Sequence, residues 1–525
     1  MSLEQIKLCS FILREHFGEV AEKIVNYLLR KGSTSLKPLT TECGFTLDKV
    51  KRCLAALIQH GIVTFSQHKA GFVEYFASVD NVLSYLFFPQ YINCAKTLFG
   101  DESELIIEEL LHQGQLTMSG TINRVTQRLA QAESSQDVYG VRDKFVDLIK
   151  TQFVKQCPLL TPDSKARSPA FAEDTENPEQ AFTVPQVDLA GLVKRKRKIS
   201  DDENEDHARK KRKLENSAAE KCGDEGIYWT INHARFQQYL RDQAIVTAVS
   251  RKVDVRAGEI IACFLRISEM KTASESISTN AITYNEIFQS LPKEMGITRQ
   301  ILDQYLRIIV EDASDFLQKT GDSGGGMFAI NFQRAFKHLC QAHVQSVIGE
   351  KYGSKCLRVY RLLAMKGHLE QKQIEEMAMI PAKEAKEMLY SLFDEQLVTI
   401  KEVPKTPDHA PSRTFYLFGI QLNQVARMLL QKTTKAMLNV CLRRAHETQQ
   451  HRRLLEKQQR MEAIIASMEN LEEEQKTEIE EMVTPAEKAQ LSKIKKMTHK
   501  LEQCESQLCD TMFVMEMYIK YAHMK

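Results

Sequence analysis

Along residues 18–77 the spacing of apolar positions changes in a definite order. Val20, Ile24, Leu28 and Leu29 recur at helical spacing and stop before Gly32. A short second segment runs from Leu36 to Cys43. Thr46 then stands where an N-cap belongs, ahead of Leu47, Val50, Leu54, Leu57 and Ile58, which share one helical face. Gly61 follows as a C′ residue would. The period then drops to two. Val63 and Phe65 alternate with Thr64 and Ser66, Lys69-Ala70-Gly71 offers a turn, and Val73 and Tyr75 alternate on the return. The pattern predicts three helices followed by a two-stranded ribbon.

The same order recurs three times. A second copy spans about 101–155, with Leu105, Ile106, Leu110 and Leu111 before Gly114 and a helix capped by Thr117. Val141, Phe145, Leu148 and Ile149 form its third helix, and Phe153-Val154 starts a strand. A third copy follows a helical lead-in, Ala234 to Val249. It has a Thr283/Glu286 capping box, a helix marked by Ile301, Tyr305 and Ile309, and the turn Asp322-Ser323-Gly324-Gly325-Gly326. In the fourth, 354–419, Pro381 suits a first helical turn. Val398 and Ile400 there face Phe415 and Leu417 across a Pro-rich tip. Three helices and a wing make a winged helix, a module that reads nucleic acid or docks proteins.

The resulting fold class is mainly α with small β wings: four tandem winged helices and a C-terminal antiparallel helical hairpin. The expected boundaries are 1–80, 81–157, a linker at 158–225, 226–340, 341–421 and the hairpin 422–525. The linker holds five of the thirteen prolines and too little apolar surface to offset chain entropy, so it is expected to be disordered. In the hairpin, Thr484-Pro485-Ala486-Glu487 is a capping box with proline at N1. Its apolar stripe is intermittent, so another surface is expected to cover part of it.

Composition narrows the chemistry. The net charge of +2 leaves nucleic-acid contact to local patches. Twelve cysteines include no C-x-x-C pair, so no metal is expected. Gly324-Gly325-Gly326 lacks a P-loop lysine and leads into a strand. His68 reads as solvated, and His409 lies in a loop without a serine or cysteine partner. There is no H-E-x-x-H, nucleophile elbow or paired carboxylate at a strand end, so neither catalysis nor a cofactor is expected. No apolar run approaches the length of a bilayer span and the first residues lack a basic segment before an apolar core, so neither a membrane span nor a secretory signal is expected.

Charge supplies the candidate sites. Lys194-Arg195-Lys196-Arg197-Lys198 and Arg209-Lys210-Lys211-Arg212-Lys213, ten residues apart, form a nuclear-import pattern, with a polyanion tether as the other reading. Ser200, before Asp201, Asp202 and Glu203, is a candidate for phosphorylation by an acid-directed kinase. The third helix of a winged helix enters the major groove while the wing tracks phosphate. Lys49, Lys51, Arg52 and Lys69 occupy those places in the first copy, and Lys383, Lys386, Lys401, Lys405 and Arg413 in the fourth. Glu384 and Glu387 interleave with the lysines of the fourth, which favours a solvated face there. Few Asn or Gln accompany these bases, so weak, sequence-tolerant contact is expected, to single or double strands.

Several segments resemble one family: Ile6-Lys7-Leu8-Cys9, Glu108-Glu109-Leu110-Leu111, Asp322 to Met327, Ile380 to Lys386, and Pro404 to Leu417. It is the largest subunit of the peripheral initiation heterotrimer of eukaryotic RNA polymerase III, related to the alpha subunit of general factor IIE. The relative's zinc ribbon is not carried over, because its cysteine pairs are missing here. The resemblance implies a nuclear, non-catalytic subunit on the polymerase clamp with two smaller partners. Such a subunit meets promoter-bound factor and helps open DNA for transfer RNA, 5S ribosomal RNA and other small RNAs. Vertebrate members are linked to sensing of AT-rich cytosolic DNA. The alternative is a docking scaffold of the proteasome-lid or translation-initiation type, which carries one winged helix after a solenoid.

Overall fold

The structure is a computed structural model that describes residues 2–68, 71–131, 138–158, 160–161, 170–171, 181–185, 223–224, 226–269, 271–272, 276–293, 296–407, 413–467 and 484–524. It divides into two compact units, one of Ile6–Leu240 and one of Arg241–Lys525 with Ser2–Gln5.

α1 (Leu3–Phe17), which belongs to the first unit from Ile6 on, precedes a module made of α2 (Glu19–Lys31), β1 (Thr34–Ser35), α3 (Leu36–Cys43), α4 (Leu47–Gln59), β2 (Val63–Gln67) and β3 (Val73–Ala77). Packing of α2 on α4 buries Ile24, Val25 and Leu28 with Val50, Leu54 and Leu57, each side chain contributing about 1.5–3 kcal/mol. Thr46 is the N-cap residue of α4, but its hydroxyl accepts no capping bond. The helix ends in a Schellman turn. The N–H of Gly61 donates to Ile58 O and that of Ile62 to Leu57 O, each at 2.9 Å. The sheet order is β1-β3-β2.

A helical stretch, α5 (Val79–Leu83) and α6 (Phe88–Phe99), leads to the second module. That module holds α7 (Asp101–Gln113), α8 (Met118–Gln131), α9 (Val138–Lys150) and β4 (Val154–Gln156). Two short strands, β5 (Leu160–Thr161) and β6 (Ala170–Phe171), pair with each other. The partner of β4 is β7 (Trp229–Ile231), in the register Val154↔Ile231 and Gln156↔Trp229. Leu116 bridges the other side of Trp229. The second sheet thus runs Leu116-β7-β4, the same first-third-second order as the other modules. The sequence had placed 226–231 in the third module and 158–225 between modules. The pairing makes 157–228 the loop of the second module's own wing.

Two further bonds tie the returning strand down. Asp224, 1% exposed, accepts from Ser119 N at 2.7 Å and Ser119 Oγ at 3.0 Å. This carboxylate from the end of the loop sits on the first turn of α8, where helix N–H groups lack intrahelical partners. Asp224 and the β5–β6 pair fall within the segment expected to be disordered, most of which lies outside the described residues. Gly114 closes α7 at φ 76, ψ −55. A Cβ there would lie 2.6 Å from the Gln59 carbonyl oxygen, so only glycine lets the end of α7 meet the end of α4.

The helix α10 (His233–Lys252) contributes residues to both units. In the second unit the third module comprises α11 (Val255–Glu269), β8 (Ile282–Thr283), α12 (Tyr284–Ser290), α13 (Arg299–Glu311), β9 (Leu317–Gly321) and β10 (Met327–Ile330). The Thr283/Glu286 capping box is present. The core face of α13 is Leu302, Leu306 and Ile309. Tyr305, expected in that core, instead donates its hydroxyl to Asp254 Oδ2 at 3.2 Å. A short 3-10 turn, Ser323–Gly325, forms the glycine tip.

α14 (Phe332–Lys366) is broken at Gly353, φ 84 and ψ 176, and its second half opens the fourth module. There follow β11 (Leu369–Glu370), α15 (Gln371–Ala378), α16 (Ala382–Asp394), β12 (Thr399–Pro404) and β13 (Thr414–Gly419), again ordered β11-β13-β12. Pro381 is the N-cap of α16, one position before the expected N1. Across the wing Ile400 pairs with Phe418 and Val403 with Phe415, a register shifted from the expected one.

α17 (Leu422–Gln450), α18 (Arg452–Ser467) and α19 (Pro485–His523) form the hairpin. Its Thr484/Glu487 capping box, with proline in the first turn, is present. The C-terminal part of α19 buries Met512, Phe513, Met515, Tyr518 and Tyr521 and packs on α14 as well as α17. That neighbour covers the interrupted stripe. Arg241, 3% exposed, closes the arrangement. Its guanidinium lies 3.7 Å from the Phe332 ring centroid, pairs with Asp242 at 2.8 Å and donates to Tyr521 Oη at 3.2 Å. Among the described residues no helix is long and apolar enough to cross a membrane, and no group of three His, Cys, Asp or Glu could hold a metal.

Candidate nucleic-acid and protein interfaces

In the first module α4 turns Val50, Leu54 and Leu57 inward, which leaves Lys49, Lys51 and Arg52 exposed near its N-terminus. No described carboxylate forms an ion pair with any of the three. The far end of α4 is held, since Gln59 Nε2 donates to Gln113 O at 2.8 Å beside Gly114. The basic end is therefore the open end. Lys69 lies outside the described residues, next to exposed His68, whose ring stacks on Phe72 at 4.6 Å. Phe72 and Phe76 are exposed on the same wing.

The fourth module differs in kind. Ala385, Leu389 and Leu392 face its core, and Lys383 and Lys386 are exposed. Glu384 is engaged by Lys355 at 2.6 Å, so the outward charges of α16 are Lys383, Lys386, Glu387 and, at its end, Asp394. Helical spacing puts Tyr390, 49% exposed, and Phe393, 42% exposed, on that same face. On the wing, Val403 and Phe415 are an exposed cross-strand pair. Lys405 Nζ stands 4.1 Å from the Phe415 ring centroid, and Lys401 and Arg413 are exposed beside them. The sequence reading sets Phe393 at the helical spacing of Ala385, Leu389 and Leu392, takes Phe415 only as a strand partner and passes over Tyr390; the structure exposes all three.

One ion cluster braces this module against the hairpin. Glu395 accepts from Lys351 at 2.8 Å and also pairs with Lys432. These two bonds push its carboxyl down to about 2. The import runs 194–198 and 209–213, Ser200 and His409 all lie outside the described residues. No disulfide joins the described cysteines. Burial pushes the thiols of Cys9, Cys157, Cys340 and Cys509 up to about 12, far from a reactive thiolate.

Comparison with known proteins agrees with this architecture. Residues 7–68 match the family described as RNA polymerase III subunit RPC82 helix-turn-helix domain, and 143–339 match RNA polymerase III subunit RPC82. Residues 344–420 match the POLR3C C-terminal winged-helix domain, and 453–514 the helical hairpin domain of DNA-directed RNA polymerase III subunit RPC3. Subunit RPC3 of Bos taurus is 46% identical over 528 residues, covering 99% of both chains. That of Homo sapiens is 44% identical over 528 residues with the same coverage. That of Dictyostelium discoideum is 24% identical, across 86% of this chain and 93% of its own. RPC3 is an accessory polymerase subunit, not a catalytic one. Identity of this order over the full length means that the chain belongs to the RPC3 family of DNA-directed RNA polymerase III subunits.

Proposed function

We propose that the chain works in the initiation of transcription by RNA polymerase III, in the nucleus and without an active site of its own. In this reading it sits on the polymerase clamp with two smaller subunits and meets promoter-bound factor. It contacts DNA weakly while the duplex opens for transfer RNA, 5S ribosomal RNA and other small RNAs. The observation that carries the DNA contact is the exposed, unpaired trio Lys49, Lys51 and Arg52 at the open end of α4. That is where a winged helix meets a duplex. Point charges without neighbouring Asn or Gln bind phosphate and leave base edges unread. The candidate set also includes Lys69, Lys383, Lys386, Lys405 and Arg413.

A protein-docking role is favoured for the fourth module by exposed Tyr390 and Phe393, the residue type that anchors protein interfaces. The basic runs of the 157–228 loop serve nuclear import, and neutralising both shifts the protein to the cytoplasm.

The test of DNA contact uses the full chain with both basic runs neutralised. Replacing Lys49, Lys51 and Arg52 by Gln weakens duplex binding equally across sequences and flattens the salt slope by about 0.9 unit per lost phosphate contact. Preference of the parent chain for one sequence by ~1,000-fold would refute the phosphate-clamp reading.

A further inference from the structure

The outer face of α19 between Lys488 and Lys500 has no role in the winged-helix scheme. Within that stretch stand Lys488, Lys493, Lys495, Lys496, His499 and Lys500, with no acidic residue among them. Leu491 and Ile494 are buried on the opposite side at 7% and 4% exposure, so all five lysines point outward and are exposed. Lys493, Lys496 and Lys500 follow i, i+3, i+7 spacing and line one stripe about 10 Å long at 1.5 Å per residue. Lys488 and Lys495 flank it.

Several cations elsewhere on the hairpin are paired with carboxylates. Arg444 pairs with Glu505 at 2.8 Å, Arg452 with Glu456 at 2.7 Å and Lys457 with Glu487 at 3.0 Å. On the outer face only Lys495 approaches a described carboxylate, Glu462, at 3.7 Å. Among the described residues no carboxylate pairs with Lys488, Lys493, Lys496 or Lys500. Lys496 and Lys500 are moreover an i, i+4 like-charged pair, which destabilises a helix unless an anion lies over it.

We infer that this face of α19 binds the phosphate backbone of duplex DNA. A protein partner fits less well. Protein interfaces are depleted in lysine and built on aromatic anchors, and no large apolar side chain is exposed between 488 and 500. A duplex presents one charge per ~1.7 Å of axis, so flexible lysines along a 10 Å stripe find phosphates without a fixed register. The inference is independent of the winged-helix contacts, because it concerns other residues on another element.

The test again uses the full chain with both basic runs neutralised. Anisotropy of a labelled 20-base-pair duplex is followed from 50 to 200 mM salt, with a poly-glutamate 20-mer as second probe. Lys488, Lys493, Lys496 and Lys500→Gln together should flatten the salt slope by two to four units and weaken duplex binding at least tenfold. Arg at the same four positions should keep both. The unfolding temperature reports folding. If the fourfold variant melts lower, Lys493→Gln and Lys496→Gln singly should each remove about one unit. An unchanged slope overturns the inference. So does loss of poly-glutamate binding with duplex binding intact, which would make the face a dock for an acidic protein.

Discussion

Excising residues 172–222 and joining 171 to 223 through four Gly/Ser residues should leave the second module folded. The reason is the strand pairing. Gln156 and Trp229 are partners, so 157–228 closes a hairpin instead of spacing two modules. The excision shortens that loop from about 70 residues to about 25. Loop-closure entropy then falls by (3/2)RT ln of the ratio, a stabilisation of about 1 kcal/mol. Asp224 and its bonds to Ser119 are retained. In the same background Asp224→Ala should cost about 1–3 kcal/mol, because it strands the Ser119 N–H and hydroxyl in a buried site. Amide hydrogen exchange is the assay, read at the N–H groups of Leu116, Cys157 and Trp229, which all donate within this sheet. Excision should leave their protection unchanged or slightly raised, and Asp224→Ala should lower it. Faster exchange at all three after excision, with protection elsewhere unchanged, would refute the wing assignment.

Other consequences are equally direct. Gly114→Ala forces a side chain onto the Gln59 carbonyl at positive φ and should cost about 3 kcal/mol, read as a lower melting temperature and faster exchange in both α4 and α7. Arg241→Met leaves Asp242 without its cation and should cost about 3 kcal/mol, against about 1 for Tyr521→Phe, with limited proteolysis then cutting the end of α19. Burial, with Lys155 second, pulls His233 down to about 4. The unfolded chain takes up that proton near 6.5, so this contribution is complete above pH 6.5 and is lost as pH falls toward 4, to a total of about 3 kcal/mol. Urea midpoints between pH 7.5 and 5 should fall with that sign, and His233→Gln should flatten the dependence.

The parts legible in the sequence were those that local spacing encodes. Leu47 to Ile58 and the Thr283/Glu286 and Thr484/Glu487 boxes follow from contacts within four residues. The second module's wing was not legible, because its third strand returns only after the long loop and nothing local announces which strand Trp229 joins. The Asp224 cap has the same cause, a bond across 105 positions. In the fourth module the lysines were visible but their balance was not. The engagement of Glu384 by Lys355 and the exposure of Tyr390 depend on how α14 and α16 pack. Tyr305 shows the converse: helical spacing suggested a core position, and one step along α13 sends its hydroxyl to Asp254.

The most direct measurement is depletion and restoration in nuclear extract. Tagged chain should recover RNA polymerase III in a one-to-one ratio. Extract depleted of it should stop making small RNAs from closed promoters while still extending on a pre-opened template, and purified chain should restore the lost step. Recovery without polymerase subunits, or loss of both promoter-directed and pre-opened synthesis that the chain cannot repair, would contradict a non-catalytic initiation role.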